Sequence, residues 1–475
     1  MVHQNGTSKV KPSDGESASA WKALSQYLPA RNADYDFWWQ FTGGHLATIL
    51  EEADYPMHKQ YEALLFHYHW AVPYMGPAPR ADGKALRWKS LVQPDGTPIE
   101  YSWKWPIKPN DRPEVRYDFE PIGEFAGVGE VDPLNQLATR EMLGRLAAVM
   151  PSVDNTWFHH LLSTLYEHDY SKLAAEAKAV APVSTTVLVA AEFYAKGVVF
   201  KTYCQPRLLG HPGVTPIPLY EEAIRQMEPN SPAREAVHDF LATSPEGQLM
   251  SPFSVGIDNV APEKSRLKWY FNSPHTSFAS VRHIMTLNGR ITSPHLAKQL
   301  ADLSELIKTV LGLPPDFPDD AHAAVELGAE SPYSFPTPAA PHPDESTGTD
   351  AVTPSPVLPG YVYYFDVAPG QALPGVKFSI PLRNYARDDL SIAQAFTAFM
   401  DARGRGAYSA RYMALLERLA AEEGARLADK RGLQAFISVL FRSDGELDIT
   451  TYFAAQAFKP WPAPRRSTLR RGEGY

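Results

Sequence analysis

The chain has 475 residues, 44% of them hydrophobic, with 45 Lys+Arg against 54 Asp+Glu for a net charge of −9. The apolar fraction excludes a wholly disordered chain, and the acidic balance is unsuited to binding nucleic acid through overall charge. A single cysteine, Cys204, excludes an intramolecular disulfide framework and a multi-cysteine metal site.

Aromatic residues run high, at 10 Trp, 23 Tyr and 22 Phe, and their polar tips require partners wherever they are buried. Residues 1–18 are polar and carry no apolar run, so they read as a disordered tail without a secretion signal. No segment approaches the roughly 20 apolar residues of a membrane helix. The expected compartment is the cytoplasm, with no membrane partner.

Residues 20–72 place Trp38, Phe41, Leu46 and Leu50 at helical spacing. A strand pair follows at 98–104 (PIEYSWK) and 114–122 (EVRYDFEPI), then helices near 134–150 and 154–179. The second pair spans 185–194 (TTVLVAAEFY) and 198–205 (VVFKTYCQ), with Gly197 in its turn. Helices near 219–229 and 232–243 precede a third pair, 252–260 and 265–271. Helices near 276–288 and 294–311 lead into a Pro-rich segment, 313–359, which reads as a mobile surface insertion. The fourth pair is 361–367 (YVYYFDV) and 375–382 (GVKFSIPL). Helices near 389–403 and 405–429 precede the fifth, 435–442 and 446–454, joined by the hairpin turn Ser443-Asp444-Gly445.

Two helices and a hairpin thus recur five times. The fold class read from this order is α+β: a single ten-stranded antiparallel barrel ringed by helices, closed because an open sheet of that width exposes two edges. It forms one domain over residues 19–460, with 461–475 as a basic tail.

Side chains at i and i+2 of a strand share a face. Lys201 and Tyr203 share one, as do Arg266, Lys268 and Tyr270, and Lys377 and Ser379. Arg116 stands on the first pair and Tyr452 on the fifth. The opposite faces are more apolar (Phe200 and Thr202; Leu267 and Trp269; Val376, Phe378 and Ile380) and meet the helices in a wrapped barrel. The cations then point inwards, where repulsion and lost solvation are costly unless an anion sits among them. Interleaved Tyr hydroxyls suit a polyphosphate, since both groups donate to its oxygens. Glu100, on the opening strand, can accept from an aromatic N–H or O–H.

The motifs WW (Trp38, Trp39), PIEYSW, VRYDFEP, FKTY, RLKWY, VKFSIPLRNY and TTYFAAQAF occur in the order and at the spacing of the dimethylallyltryptophan synthase family, and the chain resembles it over residues 20–460. The resemblance implies a barrel of five ααββ units and transfer of a dimethylallyl group from dimethylallyl diphosphate to an aromatic acceptor, without a required metal or cofactor. By the same resemblance Arg116, Lys201, Arg266, Lys268 and Lys377 bind the diphosphate. Tyr203, Tyr270 and Tyr452 shield the allyl group, and Glu100 binds the indole N–H. The expected partners are the diphosphate and an aromatic small molecule, in a monomer or homodimer that binds no nucleic acid.

Two departures stand out. Ser379 replaces a further shield tyrosine of many relatives, which implies a wider chamber on that side. No lysine occurs from Ala179 to Ala195, where tryptophan-modifying relatives carry the ring-deprotonating base. The Asp319-Asp320 and Asp388-Asp389 pairs lack the third Asp of a magnesium-binding DDxxD run, so no metal ligand is assigned. The first expectation is an indole-containing acceptor in alkaloid biosynthesis. The alternatives are a phenolic (tyrosine-derived) or polycyclic aromatic acceptor and, more remotely, a non-catalytic barrel binding an anionic hydrophobic ligand.

Overall fold

A computed structural model of the chain describes residues 19–80, 88–128, 130–177, 183–211, 215–323, 360–385 and 387–458. The expected tails at 1–18 and 461–475 lie outside these residues. So does 324–359, the greater part of the Pro-rich segment.

Ten strands close into a barrel: β1 (Ile99–Lys104), β2 (Glu114–Phe119), β3 (Val187–Tyr194), β4 (Gly197–Cys204), β5 (Ser251–Asp258), β6 (Leu267–Ser273), β7 (Tyr361–Val367), β8 (Gly375–Pro381), β9 (Gln434–Phe441) and β10 (Leu447–Ala454). Each pairs antiparallel with its neighbours in sequence, and β10 returns to β1 through Thr450 opposite Lys104 and Ala454 opposite Glu100. Closure therefore needs no crossover within the sheet. Outside the barrel, Trp88–Lys89 and Val183–Ser184 form a short parallel pair.

Turn chemistry sets the hairpins. Gly445 holds φ 89° between β9 and β10, while the Asp444 carboxylate accepts from the Glu446 backbone N–H at 3.2 Å. Between β3 and β4, Gly197 takes φ 134°, a conformation that side-chain-bearing residues rarely adopt.

The strands alternate, with bulges interrupting β5 between Pro252 and Ser254 and β9 between Gln434 and Phe436. Tyr101, Trp103, Tyr117, Phe119, Trp269, Phe271, Phe365 and Phe378 point outwards and are buried against the helices. Trp105 meets Phe396 at 5.1 Å and Trp269 meets Tyr220 at 5.8 Å between ring centroids. Several buried polar tips find backbone partners in this layer. The Tyr101 hydroxyl donates to the Thr42 carbonyl at 3.0 Å. The Tyr55 hydroxyl donates to the Phe193 carbonyl and accepts from the Val115 N–H, tying a helix-side loop to β2 and β3. Trp103, Trp269 and Tyr117 have no such partner among the described residues. Cys204 faces outward and is buried, as its parity predicted.

The helices are shorter than the periodicity suggested where polar breaks intervene. The 20–72 stretch divides into Ala20–Tyr27, Ala33–Glu52 and Met57–Phe66, followed by a π turn at His67–Ala71. Asn32 caps the second of these by accepting from the Tyr35 N–H at 2.8 Å, and Asp34 and Asp36 lie in its first turn, where the helix dipole favours negative charge. The expected 154–179 helix is two, Thr156–Thr164 and Tyr170–Ala177. No described helix is long and apolar enough to cross a membrane.

The described opening of the Pro-rich segment, residues 313–323, lies against the helix Phe278–Met285. Ala279 donates through its N–H to the Asp319 carbonyl at 2.7 Å, and Arg282 donates to the Asp319 carboxylate at 2.6 Å. With Ala323 buried, residues 313–323 are fastened to the helix Phe278–Met285. Local backbone bonding, which composition does not reveal, decides this.

Candidate active site

The inward faces of the strands line a chamber. Many of their residues keep partial exposure: Arg116, Asp118, Leu188, Tyr203, Tyr270, Tyr364, Lys377, Ser379 and Tyr452 are half-buried, while Glu100, Glu192, Lys201 and Lys268 are buried. Register partners place them in rows. One row runs Asp258, Lys201, Ala190, Asp118, Glu100 and Ala454 across six strands. A second runs Ser254, Tyr270, Tyr364, Lys377, Leu440 and Asp448. All nine residues assigned from the sequence belong to this interior or its mouth.

The cations are not bare, as their spacing alone implied. Carboxylates of neighbouring strands interleave with them. Arg116 meets Glu192 at 3.1 Å, and Lys201 contacts the same carboxylate. Lys268 meets Asp258 at 2.7 Å; Arg266 bridges Asp258 at 2.9 Å and Asp366 at 3.1 Å. The anion required among the cations is thus partly supplied by the protein itself. Lys377 differs: it has no hydrogen bond or ion pair among the described residues. Its ammonium lies 5.8 Å from the Tyr364 ring and 6.0 Å from the Tyr452 ring. At the mouth, Glu192, Lys201, Asp258, Lys264 and Arg266 line a cavity of about 330 Å³.

Burial shifts these groups. It lowers Lys377 to about 8, with the Arg116 guanidinium adding to the effect. Burial also lowers Lys201, and the Lys268 ammonium pushes it the same way. Burial would raise Glu192, but Arg116 and Lys201 outweigh it and hold that carboxyl well below the usual range.

The aromatic wall is contiguous. Tyr203 meets Tyr270 edge-on at 5.8 Å, and Tyr270 meets Tyr364 at 5.0 Å. Tyr452 stands across the chamber beside Phe436 at 6.3 Å. Gly256 makes room for the wall: a Cβ there would stand 2.7 Å from Tyr203 Cδ1.

At the far end of the first row, Glu100 is buried and held by its neighbours. Gln93 donates to its carboxylate at 3.4 Å, Arg383 donates in turn to the Gln93 carbonyl, and the Arg383 guanidinium lies 4.0 Å from Glu100. Burial pushes Glu100 up to about 8 against the pull of Arg383, with Asp118 pushing it further up. Asp118 is itself raised to about 6 by burial and by Glu192. Glu100 and Asp118 are direct cross-strand partners. Of the two, Asp118 is the first to ionise.

Sequence reasoning missed Gln93, Asp118, Glu192, Asp258, Tyr364, Asp366 and Arg383. Parity would have found five of them. Asp118 follows Arg116 by two, Tyr364 and Asp366 share a face, and Glu192 and Asp258 are acidic residues in otherwise apolar strands. Gln93 and Arg383 lie off the strands, where spacing carries no signal. The strand lacking a lysine presents Leu188, Ala190 and Glu192 to the interior. Ser379 stands between Val362 and Ser438, so small side chains widen that wall. Among the described residues no three His, Cys, Asp or Glu side chains are grouped to hold a metal ion.

A closed barrel with cations at one end, tyrosine faces along its wall and a buried carboxylate at the other end is built to hold an anion beside an aromatic ring. A family model described as tryptophan dimethylallyltransferase matches residues 34–414. The chain is 49% identical over 463 residues to prenyltransferase anuH of Penicillium roqueforti, covering 96% of this chain and 98% of that protein. It is 46% identical to xanthone prenyltransferase B of Emericella nidulans, covering 97% and 96%. The solved structure of NotF in complex with brevianamide F and DMSPP superposes with a TM-score of 0.72 at 22% identity, over 93% of this chain and 100% of that one. The molecule is an aromatic prenyltransferase with the barrel of ααββ units. It belongs to the tryptophan dimethylallyltransferase family.

Proposed function

We propose that the chamber transfers a dimethylallyl group from dimethylallyl diphosphate to a phenolic aromatic acceptor by electrophilic substitution. The Glu100–Asp118 pair carries this choice of acceptor. The two carboxyls face the chamber from adjacent strands, and around neutral pH one holds a proton that the other lacks. Such a pair both donates and accepts, which matches a phenol oxygen; an indole N–H only donates. The name of the 46%-identical xanthone prenyltransferase supports a fused aromatic acceptor that has no indole N–H. An indole-containing acceptor is the second reading, supported by the capacity of Glu100 to accept one N–H.

Arg116, Lys201, Arg266, Lys268 and Lys377 stabilise the charge that develops on the departing diphosphate, the part a metal plays in other diphosphate chemistry, so no metal is required. Tyr203, Tyr270 and Tyr452, joined by Tyr364, face the allylic cation with their ring quadrupoles, each worth about 0.5–2 kcal/mol. The same faces exclude water that would quench the cation to an alcohol. The catalytic unit is the domain at 19–460, in a cytoplasmic protein.

The test is competition between a phenolic and an indole panel with dimethylallyl diphosphate, read by mass spectrometry. Products confined to the indoles would overturn the phenolic assignment. Gly256→Ala is expected to push Tyr203 from its place and raise the ratio of dimethylallyl alcohol to prenylated product, measured by chromatography. Donor affinity is expected to fall in two steps as pH rises, near 7 where Lys201 loses its charge and near 8 where Lys377 does. Titration of Lys377→Arg, which stays charged throughout, should keep the first step and lack the second.

A further inference from the structure

Strand β3 carries no lysine and presents Leu188, Ala190 and Glu192 to the chamber, and Glu192 is committed to Arg116 and Lys201. Another group must take the proton that the alkylated ring releases. Asp118 is one strand away. In its row it stands next to Glu100 on one side, and on the other Ala190 separates it from Lys201. Asp118 is half-buried and, unlike the carboxylates of Glu192, Asp258 and Asp366, makes no hydrogen bond or ion pair among the described residues.

Charges surround it without neutralising it. Arg116, Lys201 and Lys377 favour its ionised form, while Glu192 opposes it. The same carboxylate is close enough to raise the hydroxyls of Tyr203, Tyr270 and Tyr452, so it lies within electrostatic reach of the tyrosine wall on three separate strands. A carboxylate without a hydrogen bond or ion pair among the described residues thus stands in the row between Glu100 and Lys201.

We propose that Asp118 is the base that removes the ring proton after carbon–carbon bond formation, a role resting on the prenyl-transfer reading but on neither acceptor class in particular. The allylic C–O bond breaks with its electron pair leaving on the diphosphate. A ring π pair then forms the new C–C bond. The C–H pair returns to the ring as its proton passes to a carboxylate oxygen of Asp118, which releases it to water when product departs. The raised acidity range of Asp118, near 6, leaves it ionised at neutral pH and basic enough to accept.

The experiment compares wild type, Asp118→Asn and Asp118→Glu on acceptor deuterated at the alkylated ring position, using whichever class the wild-type protein alkylates. That choice keeps failure of the phenolic reading separate from failure of this one. Asp118→Asn is expected to lose about 10²- to 10⁴-fold in turnover and to acquire a primary deuterium isotope effect absent from wild type. Its affinity for dimethylallyl thiolodiphosphate should be unaltered, and Asp118→Glu should recover part of the turnover. Asp118→Asn turning over at the wild-type rate would overturn the assignment. So would a loss of turnover without an isotope effect, or no recovery by a correctly folded Asp118→Glu, since either marks a structural role.

Discussion

Glu100→Gln is expected to lower kcat/KM for the aromatic acceptor about 2- to 12-fold, the worth of a hydrogen bond between neutral groups at about 0.5–1.5 kcal/mol. Donor affinity should not change. The separation follows from position. Glu100 sits at the Gln93–Arg383 end of the chamber, whereas Arg266 and Lys268 gather around Asp258 toward the mouth. Gln matches Glu in size but cannot exchange a proton with Asp118 across β1 and β2, so the loss falls on the acceptor. Steady-state kinetics with varied acceptor, paired with calorimetric titration of the thiolodiphosphate, measure the two effects independently. An unchanged kcat/KM would remove Glu100 from the acceptor site.

The second large effect distinguishes two lysines that look alike in sequence. Lys268→Ala takes the 2.7 Å partner from Asp258 and leaves it the Arg266 guanidinium at 2.9 Å, so the loss of stability is real but smaller than the ~3–5 kcal/mol of a buried pair broken outright. The variant should therefore bind donor more weakly and also unfold at lower denaturant concentration. Lys377 has no carboxylate to abandon. Lys377→Ala should weaken donor binding with little loss of stability, because removing it relieves repulsion from Arg116. Donor titration and urea unfolding of both variants decide the matter; equal destabilisation would contradict the pairing seen in the chamber.

Much of this was legible in the sequence because a β-strand obeys a two-residue period. Parity on β4, β6 and β8 sent Lys201, Lys268 and Lys377 inward, and five repeats of two helices and a hairpin required a ten-stranded sheet that closure best protects. The same period also carried Asp118, two residues beyond Arg116. Attention to positive charge passed over the carboxylates that balance it. What lay beyond reading was register. Only the register of paired strands, distant in sequence for Arg116 and Glu192 and within one hairpin for Glu100 and Asp118, shows these neighbours. The network behind Glu100 was hidden for another reason: Gln93 and Arg383 come from segments 290 residues apart, neither on a strand, and meet only when the barrel closes.

The net charge of −9 concealed an interior in which cations and carboxylates alternate. With the donor site proposed above, an arriving diphosphate would compete with Glu192, Asp258 and Asp366 for the same ammonium and guanidinium groups. Donor binding therefore exchanges one set of charged hydrogen bonds for another, and its net affinity is smaller than five cations in isolation would give.

The most direct test of the account is incubation of the protein with dimethylallyl diphosphate and a panel of phenols and indoles in the presence of EDTA, with products identified by mass spectrometry. The account predicts a product heavier by one dimethylallyl group, formed at the same rate with and without chelator and abolished together with donor binding in a variant lacking Lys201, Lys268 and Lys377. Tight binding of the diphosphate with no alkylated product from any acceptor would contradict it.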